Sequence, residues 1–296
     1  MSYRVVVLVK QVPDTANITG NVMKEDGTIN RSKLPAIFNP EDKVALEIAL
    51  RVKEKYGGSV TVISMGPPRA ADILRESLYM GADKVYLISD VKFAGADTLA
   101  TSYVLSEAIK YLGEFDLIMA GRQAIDGDTA QVGPQTAEKL GIPQITYTEE
   151  ILELDKDHII VKKRIDGGYE IVESRLPVLL TIVKDAAEPR PFSAKRVMYY
   201  KKAKTIFELS EIIDDTQVPY LDNLIKEYDD KGLLIKTITA KELQLPEERC
   251  GLRGSPTKVY KIDSVVLASK EPVVIEPTKE GLGRLIDELM ADRIFG

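Results

Sequence analysis

Residues 115–141 read FDLIMAGRQAIDGDTAQVGPQTAEKLG. An apolar run closes at Ala120, a turn rich in Gly and Asp follows, and a helical pattern then runs from about 129 to 140 and stops at Gly141. Strand, turn and helix in that order make a β–α unit. The glycines let a backbone come close to a ligand. Thr129 and Gln131 bring side-chain donors, and the helix start offers N–H groups that have no partner within the helix. A phosphate held by backbone amides fits this pattern. The plain alternative is a Gly-rich turn that only reverses the chain, although loops of this length usually have a use.

Working outward, the same unit recurs. YRVVVLV (3–9) is a continuous β-branched run suited to a strand covered on both faces. Some 30 residues of loop follow, with the DG turn of VMKEDGTINR (22–31) suggesting a small hairpin. Asn39-Pro40-Glu41-Asp42 opens the next helix, with Asn39 as N-cap, Pro40 at the first position and two acids at the positive end of the dipole. SVTVIS (59–64), a helix over 69–80, KVYLIS (84–89) and a helix from Asp97-Thr98 to about Leu112 complete the alternation. The expected fold is α/β: a doubly wound, mainly parallel, Rossmann-like nucleotide-binding sheet. Ligands of such sheets sit beyond the carboxyl ends of the strands, near the switch point.

Beyond about 144 the character changes. Extended segments around Asp166-Gly167-Gly168 predict an antiparallel hairpin within 149–183, closed by the buried strand LPVLLTIV (176–183). The expected division is a nucleotide-binding α/β domain over 1–190 and an extended arm over 191–296 that ends in a helix near 280–291. In the arm, KRVMYYKKAK (195–204) surrounds an apolar tip with cations, which suits docking on an acidic partner.

Two further segments face the same sheet edge. Asp97-Thr98, with Thr101 one turn on, suits a second phosphate or ribityl hydroxyls, though Asp97 alone reads first as an N-cap. Ser64-Met65-Gly66-Pro67 suits a flat purine ring against the turn backbone, or a simple Gly-Pro turn. Neither GxGxxG nor GxxxxGK[ST] occurs.

Composition excludes other classes. The chain of 296 residues carries 40 Lys+Arg and 46 Asp+Glu, a net −6, which argues against an electrostatic nucleic-acid binder. No apolar run is long enough to cross a bilayer, so no membrane insertion is expected, and no secretion signal is read in residues 1–10. A cytoplasmic location is the default expectation. One Cys (Cys250) and one His (His158) preclude an internal disulfide and a zinc or iron–sulfur ligand set. His158 reads as a half-exposed residue at a strand start and Cys250 as a buried thiol. Redox chemistry on this chain needs a borrowed cofactor.

At this point the motifs resemble a known family, the β subunits of electron-transfer flavoproteins. VKKRIDGGYEI (161–171) followed by PVLLT (177–181) looks like that subunit's signature, and VLVKQVPD, NPED, SMGPP, MGAD (80–83), GADT (95–98) and GRQAIDGDTAQVGPQ recur in order, covering residues 3–265. The resemblance implies a heterodimer with an α subunit that carries its own FAD. Ordinary members hold a structural AMP in the β subunit, whereas electron-bifurcating members hold a second FAD there. VKQVPDT, IDGDTAQVGP and LRGSPT (252–257) look like the bifurcating kind.

The contacts the resemblance carries over are Leu8, Asn39, Asp42, Met65, Asp97, Thr98, Thr101, Arg122, Gln123, Ile125, Asp128, Thr129, Ala130, Gln131, Val132 and Gly133. Arg122 is the expected neighbour of the flavin ring. Val197, Met198 and Tyr199 fall in a loop that resembles the family's anchor on a partner dehydrogenase, of acyl-CoA or lactate dehydrogenase type. The implied activity is that of an electron carrier within an NADH-dependent complex: NADH gives a hydride to the flavin of this subunit, one electron passes to ferredoxin and the other through the α-subunit flavin to the dehydrogenase. A non-bifurcating subunit with AMP, or a nucleotide-binding module of universal-stress type, is the alternative. The last 30 or so residues carry no expected role.

Overall fold

In the computed structural model, residues 2–14, 35–212, 218–258 and 274–291 are described. The β-branched run forms β1 (Tyr3–Leu8). Val5 and Val7 pack on one face of the sheet and Val6 and Leu8 on the other. A strand that buries both faces suits the centre of a parallel sheet, and each fully buried valine or leucine contributes roughly 1.5–3 kcal/mol.

After β1 come a short antiparallel pair, β2 (Gln11–Pro13) with β3 (Ala36–Phe38), and then α1 (Pro40–Tyr56), β4 (Gly58–Met65), α2 (Ala71–Met80), β5 (Lys84–Ile88), α3 (Thr98–Leu112), β6 (Leu117–Gly121) and α4 (Val132–Leu140). Helices α1 and α2 cover the Val5/Val7 face, where Leu46, Leu50, Ile73 and Leu74 are buried. Helices α3 and α4 cover the other, through Leu105, Ile109 and Ala137. The hairpin expected over 22–31 lies outside the described residues.

Next come β7 (Gln144–Leu154), β8 (His158–Ile165), β9 (Gly168–Arg175) and β10 (Val178–Ile182). β8 and β9 join through Asp166 and Gly167 with antiparallel register, and β10 returns between β6 and β7. The mainly parallel doubly wound sheet with an added hairpin is therefore present.

The structure refines two expectations. The segment beyond residue 190 adds helices and two strands to the sheet. Residues 194–200 form α5 (Ala194–Tyr200), and Arg196 donates to the carbonyls of Leu78 and Ala82 at the end of α2. Beyond it lie β11 (Lys204–Thr205), α6 (Ile206–Ser210), α7 (Val218–Asp230) and β12 (Leu234–Ile238). β12 pairs in parallel with β5 and β11 with β12, so among the described residues the sheet has ten strands in the order β11-β12-β5-β4-β1-β6-β10-β7-β8-β9. The apolar residues of β12 are spent on closing an open edge of β5, which a search for a separate core overlooks. The second refinement is that α4 begins at Val132 rather than near 129, because Asp128 and Ala130 adopt left-handed backbone (φ 49° and 53°). The last helix is α8 (Lys279–Ala291). Among the described residues, no helix is long and apolar enough to cross a membrane.

β4 and β5 lie on one side of β1, and β6 and β10 on the other. The winding therefore reverses between β1 and β6. The start of the β1–β4 pair depends on Gly58, whose φ is 122° and whose hypothetical Cβ would sit 1.9 Å from the Tyr3 carbonyl oxygen. Gly58→Ala is expected to destabilise the chain by roughly 3 kcal/mol or more, read as a lower urea midpoint; an unchanged midpoint would refute the close approach.

Candidate functional site

The reversal point opens into a cleft of about 1380 Å3 along the carboxyl ends of the strands. It runs from Thr239 beyond β12, past Asp90, Met65 and Lys10, to Gln123 beyond β6, and Gln131 and Gly133 at the start of α4 also line it. Five strand ends at about 4.8 Å spacing give it a length of roughly 19 Å. It exceeds the roughly 300–1,000 Å3 of an ordinary small-molecule pocket.

The floor is fixed by the start of α1. The Asp42 carboxylate accepts the Lys10 N–H at 2.8 Å and the Gly121 N–H at 3.0 Å, so one side chain ties the ends of β1 and β6. Any side chain at position 121 would collide with it, since a Cβ there would lie 2.5 Å from Asp42 Oδ1. Glu41 accepts from the Arg122 guanidinium at 2.9 Å and from the Gln123 N–H at 3.1 Å. Asn39, fully buried, donates through Nδ2 to the Gln123 carbonyl and accepts the Ile125 N–H at 3.2 Å. Asn39 occupies the N-cap position, but its side chain caps no helical amide. Its side chain serves the loop after β6 instead.

That loop is further braced by Lys10 on Asp126 (2.8 Å) and by Gln123 Nε2 on Asp128 (2.8 Å). Its far end is open. Gln131, the N-cap of α4, makes no side-chain cap. The amides of Thr129, Ala130, Gln131, Val132 and Gly133 donate to no group among the described residues. Five N–H groups in a row, at a helix start and with left-handed turns between them, form a cradle for an anion. Gly133 keeps the helix start close to the sheet, since a Cβ there would lie 3.0 Å from Thr181 Cγ2. The residues present fit a phosphate-bearing ligand.

The start of α3 differs. The Asp97 carboxylate accepts from Ala100 N–H at 3.0 Å and from Thr257 N–H and Oγ1 at 3.1 and 2.7 Å. Burial acts to raise its pKa, but the bonds from Ala100 and Thr257 outweigh burial and hold it below the usual carboxylate range. A carboxylate already fills this helix start, so α3 does not offer a second phosphate seat like that of α4. Thr98 Oγ1 is 3.1 Å from Gln131 Oε1 and links the two helix starts.

Of the expected contacts, Leu8, Asp42, Met65, Asp97, Thr98, Thr101, Arg122, Gln123 and 129–133 line the cleft, whereas Asn39, Ile125 and Asp128 do not. Arg122 is held by Glu41 and lies 5.8 Å from the centre of the Tyr147 ring. Val197, Met198 and Tyr199 stand on α5, away from the cleft lining, with Met198 62% exposed. His158 begins β8, 3.7 Å from Glu153, and Cys250 is buried. A smaller hollow of about 350 Å3 lies between α1 and the hairpin, and Glu149 and Lys162 of its lining pair with each other at 3.0 Å. Sequence reading missed Glu41 as a brace, Lys10, and the wall supplied by Thr239 and Thr257. In the linear sequence Glu41 is an ordinary helix-start acid, and only the fold brings it to residues 122 and 123.

The fold and cleft define a doubly wound α/β protein with a run of unbonded main-chain amides at the rim of its cleft. The electron transfer flavoprotein domain matches residues 26–206. The chain is 43% identical over 285 residues to the electron transfer flavoprotein subunit beta of Clostridium acetobutylicum, covering 96% of this chain and 97% of that protein. It is 42% identical to the caffeyl-CoA reductase-Etf complex subunit CarD of Acetobacterium woodii (99% and 100% covered) and 38% identical to the acryloyl-CoA reductase electron transfer subunit gamma of Anaerotignum propionicum (99% and 100%). The chain belongs to the electron-transfer flavoprotein family, among its β subunits. That assignment sets aside the universal-stress alternative.

Burial pushes the Asp42 carboxyl up to about 7, against the lowering effect of bonds from Asn39, Lys10 and Gly121. An acid with a raised pKa binds its proton more tightly when folded, so it costs stability as pH rises between its unfolded and folded values. From about pH 4 to about pH 7 the wild type is expected to lose stability relative to Asp42→Asn. Urea midpoints of both proteins across that range test this, and parallel pH profiles would count against it.

Proposed function

We propose that the cleft holds FAD, and that with an α subunit this chain takes hydride from NADH and divides the electron pair between ferredoxin and a partner flavoprotein dehydrogenase. The observation that carries the reading is the length of the cleft beyond its anion cradle. The unbonded amides of 129–133 suit one end of a diphosphate, and the lining continues past Met65 and Asp90 to Thr239, further than a nucleoside monophosphate needs. When bound, the flavin supplies two-electron uptake and one-electron release, which no side chain of this protein offers.

The residues of the chain bind and orient. Main-chain amides at the start of α4 hold the diphosphate, and Thr98 and Thr101 lie where ribityl hydroxyls would find partners. Met65, Gly66 and Pro67 offer a flat apolar wall. Arg122, steadied by Glu41, keeps a positive charge beside the cleft and favours an anionic reduced flavin. Asn39, Ile125 and Asp128 act by holding the loop in shape. Exposed Met198 and Tyr199, among the cations of 195–204, suit an acidic dehydrogenase surface. An acyl-CoA dehydrogenase-type partner is favoured over a lactate dehydrogenase type, because two relatives are named as subunits of CoA-thioester reductases. A division at about residue 190 keeps a narrower use in this reading: residues before it supply most of the cleft lining, and the segment beyond carries the partner surface while lending Thr239 and Thr257 to the cleft.

Extraction of nucleotide from the purified αβ pair tests the proposal. Two FAD per pair are expected, and Gln131→Asp, which places a carboxylate over the free amides of α4, is expected to weaken retention of one of them at least about tenfold. One FAD plus one AMP per pair would overturn the FAD reading and leave the structural-AMP subunit in its place.

A further inference from the structure

The Asp97 carboxylate is already engaged by three donors of the chain itself. Oδ1 serves Ala100, and Oδ2 takes both the N–H and the hydroxyl of Thr257, 160 residues away. The Asp97 N–H donates in turn to Ser255 Oγ at 2.8 Å, and that hydroxyl, itself buried, donates to the Gly251 carbonyl at 2.7 Å. Residues 247–257 thus close on the start of α3 through both the main chain and the side chain of one aspartate.

The same segment is fixed along its length. Leu252 N–H donates to the Ala94 carbonyl at 3.0 Å, and Glu247 pairs with Lys92 at 2.7 Å. Cys250 is buried against Phe93 and Tyr103, and the Arg249 guanidinium stacks on the Tyr103 ring at 3.8 Å. At Gly251 φ is 52°, and a Cβ there would lie 2.2 Å from the Lys92 carbonyl oxygen, so only glycine permits this approach. The result is a strap laid against residues 90–97, with Thr257 as the residue it contributes to the cleft wall.

From this geometry we infer that Asp97 is a positioning residue, not a ligand: it anchors the 250–257 strap as a wall of the cleft, and retention of the bound nucleotide depends on that anchor. The inference rests on the reading that the cleft holds a nucleotide and adds the element that keeps it there. A hydrogen bond to an ionised acceptor is among the stronger polar contacts, and losing one hydroxyl from this anchor is expected to speed release about tenfold. Thr257→Val removes that hydroxyl with little change of shape. Thr257→Ser retains it.

The experiment follows nucleotide release from the purified αβ pair after dilution, by rapid ultrafiltration and quantification of free FAD. Thr257→Val is expected to release one FAD about tenfold faster than wild type, Thr257→Ser at the wild-type rate, and Gly251→Ala, which displaces the whole strap, at least as fast as Thr257→Val. Rescue by serine separates anchoring from a general loss of packing, which would affect serine and valine alike. Wild-type rates in both Thr257→Val and Gly251→Ala, or equal acceleration by serine and valine, would overturn the inference. If the wild-type pair retains AMP in place of the second FAD, the FAD reading fails, and the same comparison made on AMP release decides the role of the strap. A wild-type pair that retains no nucleotide in this subunit overturns both.

Discussion

The site depends on one buried carboxylate shared by two strands. A doubly wound sheet has a gap where its winding reverses, because the loops after the two flanking strands leave in opposite directions. Here the gap lies between β1 and β6, and Asp42 spans it by accepting a main-chain N–H from each side. Asp116 does a related task at the other end, accepting the Arg4 N–H at 2.7 Å, with the Arg4 guanidinium holding its carboxyl below the usual carboxylate range. Thus β1 and β6 are fastened by an acid at both ends. The upper acid is deprived of solvent, and that burial is the cost of keeping the floor of the cleft rigid.

With the floor fixed, the two helix starts above it take different parts. The start of α3 is satisfied by a carboxylate of its own and by the strap. The start of α4 has amides with no partner among the described residues. Main-chain donors at a helix start lack partners within the helix, so a run of five along a cleft leaves them open to water or to a ligand.

Much of this was legible in the residues. The alternation of β-branched runs with amphipathic helices gave the wound sheet, and Gly121, Asp128, Thr129 and Gly133 marked the loop that forms the cradle. What escaped was non-local. Asn39, Glu41 and Asp42 carry an ordinary helix-start pattern, yet Asn39 caps nothing, and all three are occupied by residues about 80 positions later or by the end of β1. The start of α4 shifted because two non-glycine residues adopt left-handed backbone, which local propensity disfavours and a phosphate cradle rewards. The place of β11 and β12 in the sheet was not legible for a related reason: an extended stretch such as 232–239 does not say which strand it will pair with.

The late position of β12 has a consequence for a chain made from its amino end. Until residue 238 leaves the ribosome, β5 presents an unpaired edge, a feature that invites pairing with a neighbouring nascent chain. The cleft matures later still, because the wall supplied by Thr257 emerges about 20 residues after β12. Any ligand that needs that wall therefore meets a complete cleft only once residue 257 has been made.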